Sequence, residues 1–394
     1  MIKWKKCKLG DVVNFKRGYD LPRSKMKEGI YPVIGSNGII GYHNEYTTEK
    51  PSITIGRSGN VGNPFLINNK SWSHNTTLYI DKFKNTDPFF IYYYLHIIDL
   101  KRQSGGSTVP TLNRNFIHSI EINIPEDINE QKKIGSCLKN IDDLIQLKQQ
   151  ANSEMYKFIQ TIFNFWFFEL EFPNENNEPY KSSGGDIIWC DELNMEIPKK
   201  WTIDFLGSDL SSSIIKPGIE KFNNNKTYIA TADVIDFDIV NFENNVTMEN
   251  KPIRANMQPI EKSVWFAKMV DSKKVLVVDN YENLIEKYIF STGFLGLSCP
   301  ELYFYYIASF VLNDNFEMIK NHLCAGSTMR AIKNDNVKFI KFSLPEQEIL
   351  NKYNKIIKPI FDNIYQNKIE IISLNNLKNF LIQLLMSGQA ELIK

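Results

Sequence analysis

Basic and hydroxyl side chains flank glycine-rich loops at several points of this sequence. The loop GGSTVPTLNR ends on Arg114, and a second copy, AGSTMRAIK, contains Arg330 and ends on Lys333. Another glycine-rich stretch, GRSGNVG, contains Arg57. Arginine can donate two hydrogen bonds to the edge of a guanine, while lysine and hydroxyl groups commonly hold phosphates. These residue types predict contacts with nucleic acid, although a solvated surface charge is the alternative interpretation of any one of them.

Recurrence of the basic residues in the same loop of two copies favours the nucleic-acid-binding interpretation over the solvated one. The sequence predicts nucleic-acid contacts from Arg57, Ser58, Asn60, Lys101, Arg102, Ser107, Thr108, Arg114, Lys273, Thr328, Arg330 and Lys333.

Motifs for catalysis are poorly matched. Asn63-Pro64-Phe65 is similar to the (N/D)PP(Y/F) loop of amino-methyltransferases, but the second proline is missing and no FxGxG cofactor loop accompanies it. Residues 56–62 are glycine-rich without the GK(S/T) ending that grips phosphates. Residues 271–273 and 130–132 have the acidic-x-Lys form of metal-dependent nucleases, yet neither has a suitably placed second acidic residue. These stretches are interpreted as turns and solvated charges, with no catalytic or metal-binding residues.

Composition limits the classes of function. The 394 residues carry 46 basic and 45 acidic side chains, a net charge of +1, which argues against general binding to polyanions. Any nucleic-acid binding would then depend on local patches or on a charged partner. The five cysteines never form a CxxC pair, so no disulfide framework or zinc site is expected. The N-terminal stretch MIKWKKCKLG lacks the apolar region of a signal peptide, and no membrane span is expected. A cytoplasmic location follows as the expectation.

Two long helices are the elements that must position the loops. After each Gly-Ser-Thr loop come a short strand, a proline and a long apolar seam with steps of three and four residues, which is typical of a helix that packs on another helix. Lys148 and Asn152 are the polar exceptions in the first seam, and Asn367 and Lys378 those in the second. Pro359 is expected to kink the second helix or to start its longer half.

The first long helix ends in an aromatic run that exceeds what one seam can bury. We expect part of this run to be exposed and to bind a partner subunit. The residues concerned are Phe163, Phe165, Trp166, Phe167 and Phe168.

The globular parts are also duplicated. Trp4, Leu9 and Gly10 open one half with the same spacing as Trp201, Leu206 and Gly207 in the other. Short apolar strands broken by Gly, Ser and Asn are mixed with one apolar helix in each half, at residues 87–100 and 300–312. The predicted fold class is α+β, or mixed α/β, with two duplicated globules separated and closed by long antiparallel coiled-coil helices. Residues 173–185 are polar and are interpreted as a linker.

The ordered, duplicated set of motifs resembles the specificity subunits of type I restriction-modification systems. The matching stretches are the WxxxxLG openings, YPVIGSNGIIGY, SITIGRSGNVG, the GSTVPTLNR loop and the proline-led entry to the long helix. The resemblance covers nearly the whole chain. It implies target recognition domains at residues 1–129 and 172–345, a central helix at 130–171 and a C-terminal helix at 346–394.

The resemblance also implies partners and cofactors. Each recognition domain would read one half of a bipartite site on double-stranded DNA, and the chain would scaffold two methylation subunits and the restriction subunits. No cofactor is expected in this chain, because S-adenosylmethionine, ATP and Mg would bind the partner subunits. The second copy departs from the pattern, with MRAIKND in place of VPTLNRN, which weakens the choice of contact residues there.

Two other classes of function remain open from the sequence. A stand-alone DNA-binding regulator or structural coiled-coil protein would bind DNA tightly, or assemble, without partners. For a fused DNA methyltransferase or nuclease, the supporting observation would be binding of S-adenosylmethionine by the isolated chain.

Overall fold

The computed structural model of the chain describes residues 2–98, 100, 111–279, 282–326 and 330–392. The chain divides into two compact units. Unit 1 comprises Met1–Gln150 and Asn367–Lys394, and unit 2 comprises Ala151–Gln366. Each unit has its own apolar core. The domain boundaries expected from the sequence, at residues 129, 171 and 345, do not coincide with the boundaries of these two units. They stay a prediction of which residues recognise a target.

The elements are numbered along the chain. The first half contains β1 Trp4–Lys8, α1 Leu9–Val12, β2 Val13–Arg17, β3 Tyr31–Gly35, β4 Gly38–His43, β5 Ser52–Gly56, β6 Pro64–Ile67, β7 Trp72–Ser73, β8 Thr77–Phe83, α2 Pro88–Ile97, α3 Arg114–His118, β9 Glu121–Pro125 and α4 Ile128–Phe167. The second half contains β10 Ile187–Cys190, β11 Met195–Pro198, β12 Thr202–Phe205, β13 Ser213–Ile214, β14 Lys226–Ile229, β15 Val234–Ile235, β16 Asp238–Ile239, β17 Asn245–Val246, β18 Ala255–Met257, β19 Ser263–Ala267, β20 Val275–Val278, α5 Glu282–Lys287, β21 Tyr288–Ser291, β22 Phe294–Ser298, α6 Glu301–Leu312, α7 Asp314–Leu323, β23 Lys341–Leu344 and α8 Gln347–Met386.

Unit 1 is built around a four-stranded antiparallel sheet in the order β2-β8-β5-β6. Its central strand β5 has the sequence SITIG and is buried along its whole length, which is typical of a strand covered on both faces. A second sheet, β4-β3-β7, pairs β3 antiparallel with β4 and parallel with β7. Strand β1 pairs with β9, where Ile122 and Ile124 are buried and Glu121 and Asn123 are exposed, as the alternation predicts.

Unit 2 repeats the core of this topology and adds strands to it, including β18 at the edge of its second sheet. Its four-stranded sheet has the order β13-β22-β19-β20, its second sheet has the order β17-β14-β21-β18, and β12 pairs with β23. Within the second sheet β14 is antiparallel to β17 and parallel to β21, as β3 is to β4 and β7. The hairpin β15–β16 lies between β14 and β17, where unit 1 has a short turn from Gly35 to Gly38. The α+β class and the duplication with an insertion in its second copy are confirmed.

The long helices α4 and α8 each contribute one half to each unit, and the halves pack antiparallel. In unit 1, Lys148 Nζ donates to Asn367 Oδ1 over 3.2 Å and forms an ion pair with Glu370. Farther along, Lys378 Nζ lies 2.7 Å from Asp142 Oδ1. Lys148, Asn367 and Lys378, polar exceptions in the predicted seams, therefore carry polar contacts between the helices, which fixes the register of the pair.

The entry to α4 is anchored by a buried amide. Gln131 is 1% exposed, donates from Nε2 to the Pro125 carbonyl and accepts from Thr86 through Oε1. The same dipeptide, Glu-Gln, occurs at residues 130–131 and 346–347, at the entries to α4 and α8. Gln347 is exposed, so the dipeptide does not mark equivalent positions. Gly135 lets α2 approach closely, because an added Cβ would lie 2.6 Å from Asp87 Oδ1.

Two expectations about chain breaks are wrong. Residues 173–185 fold onto unit 2: Tyr180 stacks on Phe172 with ring centroids 4.5 Å apart, and its amide donates to the Phe172 carbonyl. The segment is therefore part of unit 2 and not a free linker. Pro359 lies inside α8, which runs uninterrupted on both sides of it, so the longer half of the helix does not start there. A kink at Pro359 stays a prediction.

Candidate nucleic-acid interface

One end of the main sheet in unit 1 collects loops from distant parts of the sequence. Strands β2 and β5 end where β8 begins, because Arg17 pairs with Leu78 and Gly56 pairs with Thr77. The loops at this end are residues 17–20, 56–60, 74–77 and 111–114, here called loop cluster 1.

Backbone hydrogen bonds hold loop cluster 1 together. The Arg57 amide donates to the Thr76 carbonyl over 2.8 Å, and the Arg57 carbonyl accepts from the Leu112 amide over 2.9 Å. The backbone at Gly18 lies so close to residue 74 that an added Cβ would meet the His74 carbonyl oxygen at 2.1 Å. Gly56 is equally constrained, with the Asn60 carbonyl oxygen 1.8 Å from such a Cβ. Glycine is needed at these close approaches.

Unit 2 presents the matching set at the same end of its sheet. Ala267 at the end of β19 pairs with Phe294 of β22. The Lys268 amide donates to the Gly293 carbonyl, and the Lys268 carbonyl accepts from the Ile332 amide, both over 2.9 Å. The residues here are 215–218, 268–270, 291–294 and 330–333, called loop cluster 2.

Charge in both clusters is positive. Loop cluster 1 carries three arginines and one aspartate, and loop cluster 2 carries three lysines and one arginine without an acidic residue, in a chain whose net charge is only +1. Burial lowers the pKa of His74, while Asp20 opposes this shift, so His74 is neutral near pH 7 and the arginines supply the charge of cluster 1. Local positive charge of this kind suits the phosphate backbone of DNA.

The structure brings many of the sequence-predicted residues into these clusters. Arg57, Ser58 and Asn60 are partly buried in loop cluster 1, and the exposed Arg114 begins α3 at its edge. Arg330 and Lys333 are exposed in loop cluster 2. Lys101, Arg102, Ser107, Thr108 and Thr328 lie outside the described residues.

Two predicted contacts are already engaged within their own unit. The Asn60 side-chain oxygen accepts a hydrogen bond from Asn63 Nδ2 over 2.8 Å, in the turn just before β6, which begins with Pro64 and Phe65. Lys273 forms an ion pair with Asp314 of α7, so its charge is partly neutralised. Both are weaker candidates for DNA contacts than their neighbours.

Sequence reasoning missed a pair of basic residues at the strand ends. Arg17 ends β2 opposite Leu78. In unit 2, Ile214 pairs with Leu297 and the Ile215 amide donates to Gly296, which places Lys216 at the corresponding position opposite Leu295. Both side chains are exposed. Only strand register reveals their equivalence, because the loops between the repeated motifs differ in length.

The expected exposure of the aromatic run is wrong for most of its members. Phe163, Trp166 and Phe167 are 1%, 6% and 2% exposed, because they pack in the core of unit 2 with Tyr353 and Tyr306 of the neighbouring helices. Phe168 is half-buried on the same core, and only Phe165, at 42%, is exposed. The partner-binding role therefore stays a prediction for Phe165 alone.

Among the described residues, no group of three or more His, Cys, Asp or Glu side chains is placed to hold a metal ion. In the same part of the chain, no helix is long and apolar enough to cross a membrane.

Comparisons with known proteins agree with this arrangement. Residues 1–156 match the family described as "Type I restriction modification DNA specificity domain". The chain is 27% identical over 303 residues to the type I restriction enzyme MjaIX specificity subunit of Methanocaldococcus jannaschii, a match that spans 74% of this chain and 65% of that relative's length. A shorter match, 30% identical over 69 residues, covers 18% of this chain and 15% of the type I restriction enzyme HindI specificity subunit of Haemophilus influenzae.

A solved structure shares the fold. The S subunit of a type I restriction-modification system from M. genitalium superimposes with a TM-score of 0.60, covering 98% of this chain and 96% of that chain at 16% sequence identity. The chain is therefore similar to type I restriction-modification specificity subunits, through the family match of residues 1–156 and the relatives named above.

Proposed function

We propose that this chain reads a bipartite sequence on double-stranded DNA for a type I restriction-modification complex and has no catalytic activity of its own. One observation carries the proposal: two units of the same topology each present a basic loop cluster at the same end of the same sheet. Loop cluster 1 would bind one half-site and loop cluster 2 the other. We assign recognition to residues 1–129 and 172–345, and spacing to the helices at 130–171 and 346–394.

Methylome sequencing of the host, with and without the gene, tests this function. We expect a split methylation motif that disappears when the gene is deleted. Persistence of every methylation motif in the deleted strain would contradict the proposal. Tight sequence-specific binding by the isolated chain, with no change in methylation, would favour a stand-alone regulator instead.

The cofactors of the reaction belong on the partners in this proposal. S-adenosylmethionine would bind the two methylation subunits, and ATP and Mg the restriction subunits, in the cytoplasm where chromosomal DNA lies. The free thiols of all five cysteines suit a reducing compartment. Calorimetric titration of the isolated chain with S-adenosylmethionine should give no binding heat, and saturable binding would indicate a fused enzyme.

The long helices offer surfaces for the methylation subunits. In unit 1 the helix pair exposes Leu147 by 63% and Phe380 by 61%, and in unit 2 it exposes Phe158 by 53% and Phe165 by 42%. Large apolar side chains that remain in water on helices commonly mark protein interfaces.

The substitutions Leu147→Lys and Phe380→Lys are each expected to weaken binding of a methylation subunit, because each places a charge in an apolar contact. Light scattering of the co-purified complex should show the mass of one fewer methylation subunit. Gln146→Lys adds the same charge at an exposed neighbouring position and is the matched control. Full assembly by the Leu147 and Phe380 variants would remove this surface from the proposal.

A further inference from the structure

We propose that Lys268 is the unit 2 counterpart of Arg57, and that each side chain supplies its positive charge to an acceptor atom in the DNA half-site bound by its unit. This inference rests on the proposed DNA-reading function and specifies the residue on which each half-site depends. Lys268 is not among the DNA contacts that the sequence predicts. When the two repeats are aligned by a fixed number of residues, Arg57 is matched with residues other than Lys268.

Strand register establishes the equivalence. Arg57 directly follows Gly56, which pairs with Thr77 at the start of β8, and Lys268 directly follows Ala267, which pairs with Phe294 at the start of β22. The Arg57 amide donates to the residue just before β8, and the Lys268 amide donates to the residue just before β22.

The second backbone contact is equivalent as well. The carbonyl of Arg57 accepts from the Leu112 amide, and that of Lys268 from the Ile332 amide. Leu112 and Ile332 occupy the same place in the two copies of the Gly-Ser-Thr loop, four residues after the threonine in each. Two basic residues thus lie at one backbone position of a duplicated fold, each fixed between the same two segments.

Neither charged group, the Arg57 guanidinium or the Lys268 ammonium, has a hydrogen-bonding or ionic partner among the residues that the structure describes. Both side chains are nevertheless partly buried. Burial alone lowers the pKa of Lys268, with no carboxylate opposing the shift. By contrast, the neighbouring Lys273 and Lys274 bind Asp314 and the Thr231 carbonyl.

Partial burial of an unpaired charge costs free energy, because the protein replaces little of the hydration that the charge loses. A bound ligand with an acceptor atom would offset this cost. An acceptor atom of DNA fits, since the loops around both residues are basic and rich in hydroxyl and amide groups. The two residue types differ in what they can bind: arginine donates two parallel hydrogen bonds to guanine, whereas lysine donates to a single acceptor at a time.

The test uses the complex of this chain with its methylation subunits and a fluorescent duplex that carries the split motif identified by methylome sequencing. Lys268→Met and Arg57→Met keep the apolar stems and remove the charges. Each should weaken binding to the intact duplex by about five- to a hundredfold, the range for one lost base contact. Lys268→Met should also leave the Tm of the chain unchanged or raise it, because no internal partner is lost.

Duplexes with one scrambled half-site distinguish the loss of one DNA contact from general damage to the protein. On a duplex in which only the half-site of unit 1 is scrambled, Lys268→Met should bind more weakly than the wild type, because the half-site that Lys268 contacts is intact. On a duplex in which only the half-site of unit 2 is scrambled, Lys268→Met and the wild type should bind equally, and Arg57→Met should show the reverse pattern. The exposed Lys82, on the far part of β8, and the exposed Lys199 provide charge-removing controls as methionine variants. Equal losses on both scrambled duplexes, or affinities equal to the controls, would overturn the assignment. If the wild-type complex binds no duplex specifically, the proposed function itself fails.

Discussion

Replacement of Phe167 by alanine is expected to lower the free energy of unfolding of unit 2 by about 3 to 5 kcal/mol, the usual cost of removing a buried aromatic ring. Phe167 is 2% exposed, and its ring lies 4.8 Å from that of Tyr306 and 4.9 Å from that of Tyr353. The ring joins α4 to α6 and α8 in one core, and few neighbouring groups can collapse into the space it leaves.

Phe165→Ala is the matched control, two residues away on the same helix and 42% exposed. Its effect on stability should stay within about 0.5 kcal/mol, as for most surface substitutions. Chemical denaturation of both variants, followed by tryptophan fluorescence, measures the difference. Similar losses for both variants would show that the packing described for this aromatic run is incorrect.

An insertion of seven residues into both long helices, after Gln150 and after Gln366, should lengthen the unspecified spacer of the methylation motif by about three base pairs. Seven helical residues add about 10.5 Å, and B-DNA rises about 3.4 Å per base pair. Seven residues also span nearly two turns, so the seam between the helices keeps its face. The bases of both half-sites should stay the same, since the loop clusters are untouched.

Methylome sequencing of cells that express the lengthened chain with its methylation subunits gives the new motif. As the control, four residues inserted in α4 alone would rotate its seam against an unchanged α8 and should reduce methylation without producing a single new spacer. A lengthened chain that methylates half-sites with altered bases and the original spacer would show that the helices do not set the distance.

Much of the architecture could be predicted because periodic apolar patterns report local structure directly. Ile122 and Ile124 alternate with polar residues and lie buried in β9, and the seam from Ile134 to Leu138 and Ile145 is buried as predicted. The polar exceptions at Lys148 and Lys378 were informative too, since they carry the contacts between the helices.

Other features depend on contacts that no local pattern encodes. The aromatic run at the end of α4 reads as excess surface in sequence, because the tyrosines that cover it come from α6 and α8, more than a hundred residues later. Gln131 and Gln347 share a dipeptide motif, but only Gln131 finds buried partners, in Thr86 and the Pro125 carbonyl.

In the candidate site, too, some residues could be found from local sequence patterns and others only from long-range contacts. Arg57 could be selected from the sequence because its glycine-flanked loop is distinctive, whereas Lys268 follows an ordinary apolar strand, SVWFA. Only the pairing of β19 with β22 places Lys268 beside the loop that contains Arg330. Long-range strand register, which determines what the clusters contain, is not readable from one sequence.

Exchange of loop cluster 1 alone tests the central claim most directly. A chain whose residues 17–20, 56–60, 74–77 and 111–114 are replaced by the corresponding residues of a similar specificity subunit would be expressed with the proposed methylation subunits in a host without other DNA methyltransferases. The account predicts that methylome sequencing finds a motif with one half-site changed, the other half-site retained and the spacer constant. Alteration of both half-sites together, or an unchanged motif, would contradict the claim that each unit reads its own half of the DNA target.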